Sequence, residues 1–450
     1  MQRRIIQVDE KVSLLKGLPL SFQHLFAMFG ASILVPNLLN QAAQQAAGDK
    51  TLQVIDPSLV LLLNGIGTLI YLFLCRGKAP AYLGSSFAFI SPAISIIGSK
   101  ASNDFQHNFS QALGGFIIAG AIFTITALII GAVGTKWLDV VLPPAAMGPI
   151  VALIGLELSG TAAGMAGLLP DANGAFNGWS ILISLTTLGV AIIGSVLFRK
   201  FFAAIPILIA ILFGYGLCVV INAIDPSLNV ISFDAITNKD LINLPKFVAP
   251  SFNLDAILII APAALVVISE HIGHLFVTSN IVGRNLIKDP GLHRSLLGDG
   301  LSTMISGFTG SVPTTTYGEN MGVMAITRVY SVWVIGGAAV ISVVVAFIGK
   351  LSGVISSIPS PVMGGVCLLL FGVIAASGIR MLVEAKVDYS KSKNLILTAV
   401  VFVVGISGVS IDLGKGVVFK GMVLATIVGM LLSLILYVFE KLKITNDIEE

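Results

Sequence analysis

Charge is what this chain has least of. Only 11% of its 450 residues are Asp, Glu, Lys or Arg, and 56% are hydrophobic; a soluble domain carries about 25% charged residues. A soluble protein of this size and composition could not cover its surface, so that class is excluded. The net charge of +3 is small and gives no sign of a nucleic-acid partner. Cysteine is almost as scarce. Cys75, Cys218 and Cys367 are isolated in apolar runs, which excludes a disulfide framework or a cysteine metal site and leaves small buried hydrophobes. No clear cleavage site follows the charged N-terminus, so the first apolar stretch, interrupted by Gln23 and His24, reads as a span rather than a removed signal peptide.

What is present is a series of apolar runs of about 20 residues, the length of a membrane helix. Fourteen segments read as spans, numbered here in chain order: 18–38, 58–75, 81–98, 110–133, 137–158, 178–197, 201–222, 254–282, 291–309, 311–326, 328–349, 354–379, 393–411 and 418–440. An even count puts both termini on one side. That side takes 19 of the 26 Lys and Arg, and the other takes 7. Positive residues favour the cytoplasmic side, so both termini are expected there. The loops at about 39–57, 159–177 and 223–253 then fall outside.

The chain repeats itself. Pro143, Met147 and Gly148 in "LPPAAMGPIVALIG" match Pro359, Met363 and Gly364 in "IPSPVMGGVCLLLFG", an offset of 216 residues. Gly114-Gly115 and Gly336-Gly337 precede the two copies, and "GSSFAF" from Gly84 weakly parallels "TTTYGE" from Thr314. A seven-span unit crosses an odd number of times, so its second copy enters from the opposite face. Such an inverted repeat is the architecture of many secondary transporters.

Two segments look half extended and half helical. Segment 3 opens on Gly84-Ser85-Ser86-Phe87-Ala88-Phe89, and segment 10 on Val312-Pro313-Thr314-Thr315-Thr316-Tyr317-Gly318. Ser, Thr and aromatic residues favour extended chain. Non-helical backbone at membrane depth is tolerated only inside protein or along a cavity, and paired broken segments in corresponding positions point to a binding site. Glu319 sits beside that junction. Glu270 and His274, four apart, share one helix face. They form either a proton-linked site or hydrogen-bonding glue between helices; His271, about 100° round, reads as structural. His24, Asn320 and Asp299 read as support, and Glu157 as a span-end acid able to snorkel.

Glu319-Asn320-Met321-Gly322, four residues, then Thr327 resembles the signature motif of the nucleobase–ascorbate transporter family. "SFQHLFAMFGASILVP", "AYLGSSFAFISP", "SEHIGHL" and "DPGLHRS" resemble its bacterial uracil-carrying branch, and the likeness runs from about residue 18 to 440. The resemblance implies an all-α polytopic membrane protein with fourteen transmembrane spans in two inverted seven-span repeats. It implies a core domain (18–133 and 254–349) and a gate domain (137–222 and 354–440), between a cytoplasmic N-terminus (1–17) and a cytoplasmic tail (441–450). Substrate would lie between core and gate, held by Glu270 and Glu319, with contacts near Phe87, Tyr317 and Gly318 and with His274 beside Glu270. Two positions depart from the family pattern. Asp299 stands where a neutral amide is usual, and Phe371 stands where a tyrosine would face the substrate from the gate.

Uracil presents alternating N–H donors and carbonyl acceptors. Carboxylates accept from the former and backbone N–H groups donate to the latter. A site built for that edge rejects analogues lacking an N–H, because a buried carboxylate would go unpaired. Purine-carrying relatives tend to have Gln at the Glu319 position, so Glu319 favours uracil over xanthine or urate. The expectation is a uracil–proton symporter of the cytoplasmic membrane, coupled through Glu270 and His274, needing no cofactor or metal and able to form a homodimer in the lipid bilayer. A channel is a weaker alternative. So is a membrane metalloenzyme, because Glu270-His271-x-x-His274 is not His-Glu-x-x-His.

Overall fold

The computed structural model describes residues 5–49, 51–99, 104–170, 174–412, 414 and 418–445. The end of the expected tail, 446–450, and the basic residues Arg3, Arg4, Lys50, Lys100 and Lys415 lie outside these. Nine helices among the described residues are long and apolar enough to cross a membrane, and three shorter apolar helices accompany them. The chain is a multi-pass helical membrane protein. Segments 9 and 10 are helical too, at Leu292–Thr309 and Gly318–Thr327, but the first is rich in Gly, Ser and Thr and the second spans only ten residues.

Several boundaries differ from expectation, each for a local reason. Segment 1 is one helix of 34 residues, Leu14–Ala47, ended by Gly48 at φ 70°. At 1.5 Å per residue it is about 51 Å long, well beyond a hydrocarbon core of about 30 Å. Segments 5 and 12 are each split. A short helix, Leu138–Val141 or Gly349–Ser356, stops before the repeated proline, and a new helix, Pro144–Met165 or Ser360–Glu384, starts directly after it. Proline lacks the N–H an upstream helix needs but fits the start of the next. Pro262 likewise divides segment 8 into Leu254–Ile260 and Ala263–Val282.

The expected extended chain is present. Strand β1, Leu83–Ser85, pairs antiparallel with strand β2, Thr314–Thr316, in the register Leu83↔Thr316, Gly84↔Thr315, Ser85↔Thr314. The pairing is lengthened by Ser86 N–H to Pro313 O (2.9 Å) and Tyr317 N–H to Tyr82 O (3.2 Å). All six strand residues are buried, so these bonds satisfy backbone that neither lipid nor water could. Beyond each strand a helix begins, after a single 3-10 turn in segment 3 (Phe87–Phe89, then Ile90–Ile97) and at Gly318 in segment 10. Segment 13 ends at Ile406, short of the expected 411. Gly408 turns the chain at φ 75°, and Ser410–Asp412 (β3) pairs with Val418–Lys420 (β4) as a hairpin.

Packing follows the repeat. Segment 4 packs on 9 as segment 11 packs on 2; segment 6 packs on 7 as 13 packs on 14; segment 12 packs on 6 as 5 packs on 13; segments 5 and 12 pack on each other. Gly148 of segment 5 abuts Gly378 and Leu382, and Gly364 of segment 12 abuts Met165 and Ala166. The second contact is the first displaced by the same 216 residues with the partners exchanged, the mark of a local two-fold relation. Glu157 does not snorkel. Its carboxylate accepts from Met422 N–H at 2.7 Å, in the first turn of the segment 14 helix Gly421–Lys441, where a negative charge suits the helix dipole.

The charged N-terminus is built into the fold. Ile6 N–H donates to Arg328 O (3.0 Å), Tyr330 N–H to Ile6 O (2.9 Å) and Val332 N–H to Val8 O (2.9 Å), while Ser331 Oγ donates to Glu10 O (2.6 Å). Val8 is fully buried. Asp9 pairs with Arg284 at 2.6 Å. This strap ties the ends of segments 8, 10 and 11 together.

Candidate functional site

The two broken segments meet head-on, and the site is assembled where their helices begin. Glu319 lies in the first turn of Gly318–Thr327, at the positive end of the helix dipole; it and Gly318 are half-buried. Glu270 and His274 lie one turn apart on Ala263–Val282, and both are buried. His274 Nδ1 sits 2.8 Å from Thr316 O and 3.1 Å from Thr316 Oγ1. A carbonyl oxygen only accepts, so Nδ1 carries a proton and Nε2 is the nitrogen left to gain or give one. That nitrogen faces Gly318: a Cβ on Gly318 would lie 3.9 Å from it.

Aromatic rings close the opposite side. Phe87 stacks on Tyr317 with centroids 6.3 Å apart and planes at 14°. Tyr317 Oη donates to Ser85 O at 2.9 Å. A Cβ on Gly84 would fall on the Tyr317 ring, so glycine there lets the ring lie flat on the strand pair. Phe371, from segment 12, meets Phe87 edge-on at 5.8 Å and 81° and is 1% exposed. It joins segments 3 and 12 through a dry contact.

Several buried polar atoms here lack a well-formed hydrogen bond among the described residues: Glu270 Oε2 and Thr315 Oγ1, which lie near each other, Ser86 Oγ and Asn320 Nδ2. Buried polar atoms in proteins are nearly always paired. Their gathering at the junction of the two broken segments makes this the candidate site for a polar partner.

Behind the site runs a buried scaffold. His24 Nδ1 donates to Asn320 Oδ1 at 2.7 Å, joining segments 1 and 10. His271 Nδ1 donates to Asp299 Oδ2 at 2.9 Å, and its Nε2 lies 2.7 Å from Ser295 Oγ, which is bonded to Tyr71 Oη. Asp299 also accepts from Thr314 Oγ1 at 3.3 Å and so reaches β2. His271 and His274 face different partners and their nitrogens do not converge. Two residues that sequence reasoning missed complete the support. Leu83 N–H donates to Thr68 Oγ1 at 2.9 Å, and Thr314 N–H donates to Thr303 Oγ1 at 3.2 Å. Each threonine, on segment 2 or 9, holds the first residue of one strand.

The chain is similar to proteins of named function. It is 53% identical over 452 residues to the uracil permease of Paenibacillus larvae subsp. larvae, covering 99% of this chain and 100% of that protein. It is 55% identical over 435 residues to the uracil permease of Escherichia coli K12, covering 97% and 94%. Solved structures share the fold at low identity. The transmembrane domain of the cyanobacterial bicarbonate transporter BicA superposes with a TM-score of 0.57 at 15% identity over 95% of this chain and 100% of that one. The murine anion transporter Slc26a9 in the inward-facing state superposes with a TM-score of 0.68 at 11% identity over 96% and 69%. The Permease family model (Xan_ur_permease) matches residues 15–414, and with these full-length relatives it establishes that the chain belongs to the permease family.

Proposed function

We propose that the protein is a uracil–proton symporter that imports uracil across the cytoplasmic membrane by alternating access. The observation that carries this is Glu270 Oε2, a buried carboxylate oxygen with no well-formed hydrogen bond among the described residues, within the same site as Glu319. Two carboxylates accept from the N–H groups of a pyrimidine, while the backbone of the broken segments and the Phe87–Tyr317 stack hold its carbonyls and its face. The uracil permeases to which the chain is similar support the same substrate.

Uracil is neutral near pH 7 and cannot itself harness a gradient. A charged acid at the centre of a membrane costs about 2.5–3.5 kcal/mol on a translocon scale. An empty, ionised Glu270 therefore resists closure, and a proton relieves it. Bound uracil then supplies the remaining hydrogen bonds, so the loaded, protonated site crosses more easily than the empty, ionised one. His274 shares or relays that proton. Segments 1–4 and 8–11 form the moving core and 5–7 and 12–14 the gate, with fourteen crossings, both termini cytoplasmic and a homodimer as the assembled form.

The test is uptake into vesicles under an imposed pH gradient, with competition by a panel of nucleobases. Wild type should accumulate uracil when the outside is acidic, and a protonophore should abolish accumulation. Glu270→Gln should lose accumulation while keeping exchange, and Glu319→Gln should lose binding. Xanthine outcompeting uracil would overturn the substrate; accumulation by Glu270→Gln would overturn the coupling.

A further inference from the structure

Outside the transport site, one cavity combines unpaired charge with lipid-facing carbon. It holds about 410 Å³ and is lined by Phe73, Leu74, Arg76, Gly77 and Arg294. It lies where the segment 2 helix Pro57–Leu74 ends and the segment 9 helix Leu292–Thr309 begins. Arg294 reaches into it. Its Nη1 lies 3.5 Å from Leu74 O, at the negative end of the first helix, while the residue occupies the first turn of the second. Arg76 follows the helix end in the left-handed region (φ 54°) and is exposed. The nearby acid is already committed, because Asp289 is bound by Lys78 at 2.7 Å. Among the described residues neither guanidinium has a carboxylate partner. His293 lies within the field of both.

The apolar side of the cavity faces away from protein. Phe73 is 82% exposed, and Leu69, one turn earlier on the same face, is also exposed. In a membrane protein such a face meets acyl chains. Gly77 adjoins Val332, whose neighbour Trp333 is exposed; tryptophan favours the level of the headgroups. Cationic groups at headgroup depth directly beside an acyl-chain surface match an anionic phospholipid better than a soluble anion.

We infer that this cavity is a binding site for an anionic glycerophospholipid. The phosphodiester sits between Arg76 and Arg294, and one acyl chain runs along Phe73 and Leu69. Guanidinium groups suit this partner because their planar donors match phosphate oxygens two at a time. The lipid would join the ends of segments 2 and 9 from outside, as their packing joins them within. The site is separate from the transport site and does not depend on which substrate is carried.

The experiment uses the full-length protein, delipidated in an uncharged detergent. Binding is read by native mass spectrometry and by thermal melting with phosphatidylglycerol, phosphatidylcholine of the same chains, or inorganic phosphate. Phosphatidylglycerol should bind and raise the melting temperature, and phosphatidylcholine should do neither. Arg76→Gln and Arg294→Gln should each weaken phosphatidylglycerol binding by about fivefold, the worth of one basic residue at an anionic surface. Lys136→Gln, a basic residue outside this cavity, should leave binding unchanged. If Arg294→Gln fails to fold, Arg76→Gln decides alone, since its side chain is exposed. Equal binding of the two lipids, wild-type binding by the Arg76 variant, or stabilisation by inorganic phosphate equal to that by lipid would each overturn the assignment.

Discussion

Phe87 and Phe371 meet edge to face with ring centroids 5.8 Å apart. One ring comes from the broken segment 3, the other from the segment 12 helix Ser360–Glu384. In the proposed site this contact holds the Phe87 ring in place against the substrate, and its worth is that of one aromatic pair. Phe371→Ala should therefore weaken apparent uracil affinity by up to about tenfold. Phe371→Tyr, which keeps the ring, should change it much less. Equal losses in the two variants would show that the ring contact is not what matters. The Phe371 ring itself is dry.

Thr68 and Thr303 each take one backbone N–H of the strand pair. Replacing either by valine keeps the shape and removes the acceptor. A buried N–H left unpaired costs about 1–3 kcal/mol, so Thr68→Val and Thr303→Val should each lower the melting temperature of the purified protein. Serine at either position should restore much of it. Unchanged melting in both valine variants would mean that these bonds carry no net stability.

His24 and Asn320 join segment 1 to the first turn of the segment 10 helix at 2.7 Å. Residues in one buried network are coupled by about 0.5–3 kcal/mol. In a double-mutant cycle on uracil binding, His24→Leu and Asn320→Ala should be clearly non-additive, with the second substitution costing little after the first. Additive losses would place the two residues in separate roles.

The Arg284 guanidinium holds the Asp9 carboxyl below its usual range. A depressed folded value means that the ion pair contributes at and above the ordinary carboxylate pKa and is lost as pH falls through the lowered one. Hydrogen exchange at residues 5–12, relative to the intrinsic rate at each pH, should thus stay slow through mildly acidic pH and quicken only in stronger acid. Asp9→Asn should quicken it already at neutral pH, and high salt should do the same in wild type. Wild-type protection in Asp9→Asn would leave the strap to its backbone bonds alone.

What could be read in advance depended on whether the signal was local. The broken segments were legible because Ser, Thr and aromatic residues cluster where an apolar helix should be, and Glu270 and Glu319 because acids are rare in such runs. The repeat was legible because proline and glycine act on the backbone beside them. Thr68 was not. Its hydroxyl also donates to Asn64 O, one turn back, as membrane threonines commonly do, and its tie to Leu83 depends on a fold the sequence does not spell out. The strap was hidden for a similar reason: Val8 sits in a charged stretch, and its partner at 332 lies in the other half of the chain. Glu157 looked like any acid near a span end until the start of segment 14 came to lie against it.

The pairing of β1 with β2 also constrains how the protein is made. Ser85 leaves the ribosome 229 residues ahead of Thr314, a lead of about 10–45 s at about 5–20 residues per second. Throughout that interval β1 has no partner strand, and unpaired backbone groups cannot rest in lipid. Segment 3 must therefore wait at the insertion machinery or at the membrane surface until the second half arrives to receive it. A chain interrupted before residue 314 is left with a segment that belongs in neither water nor lipid.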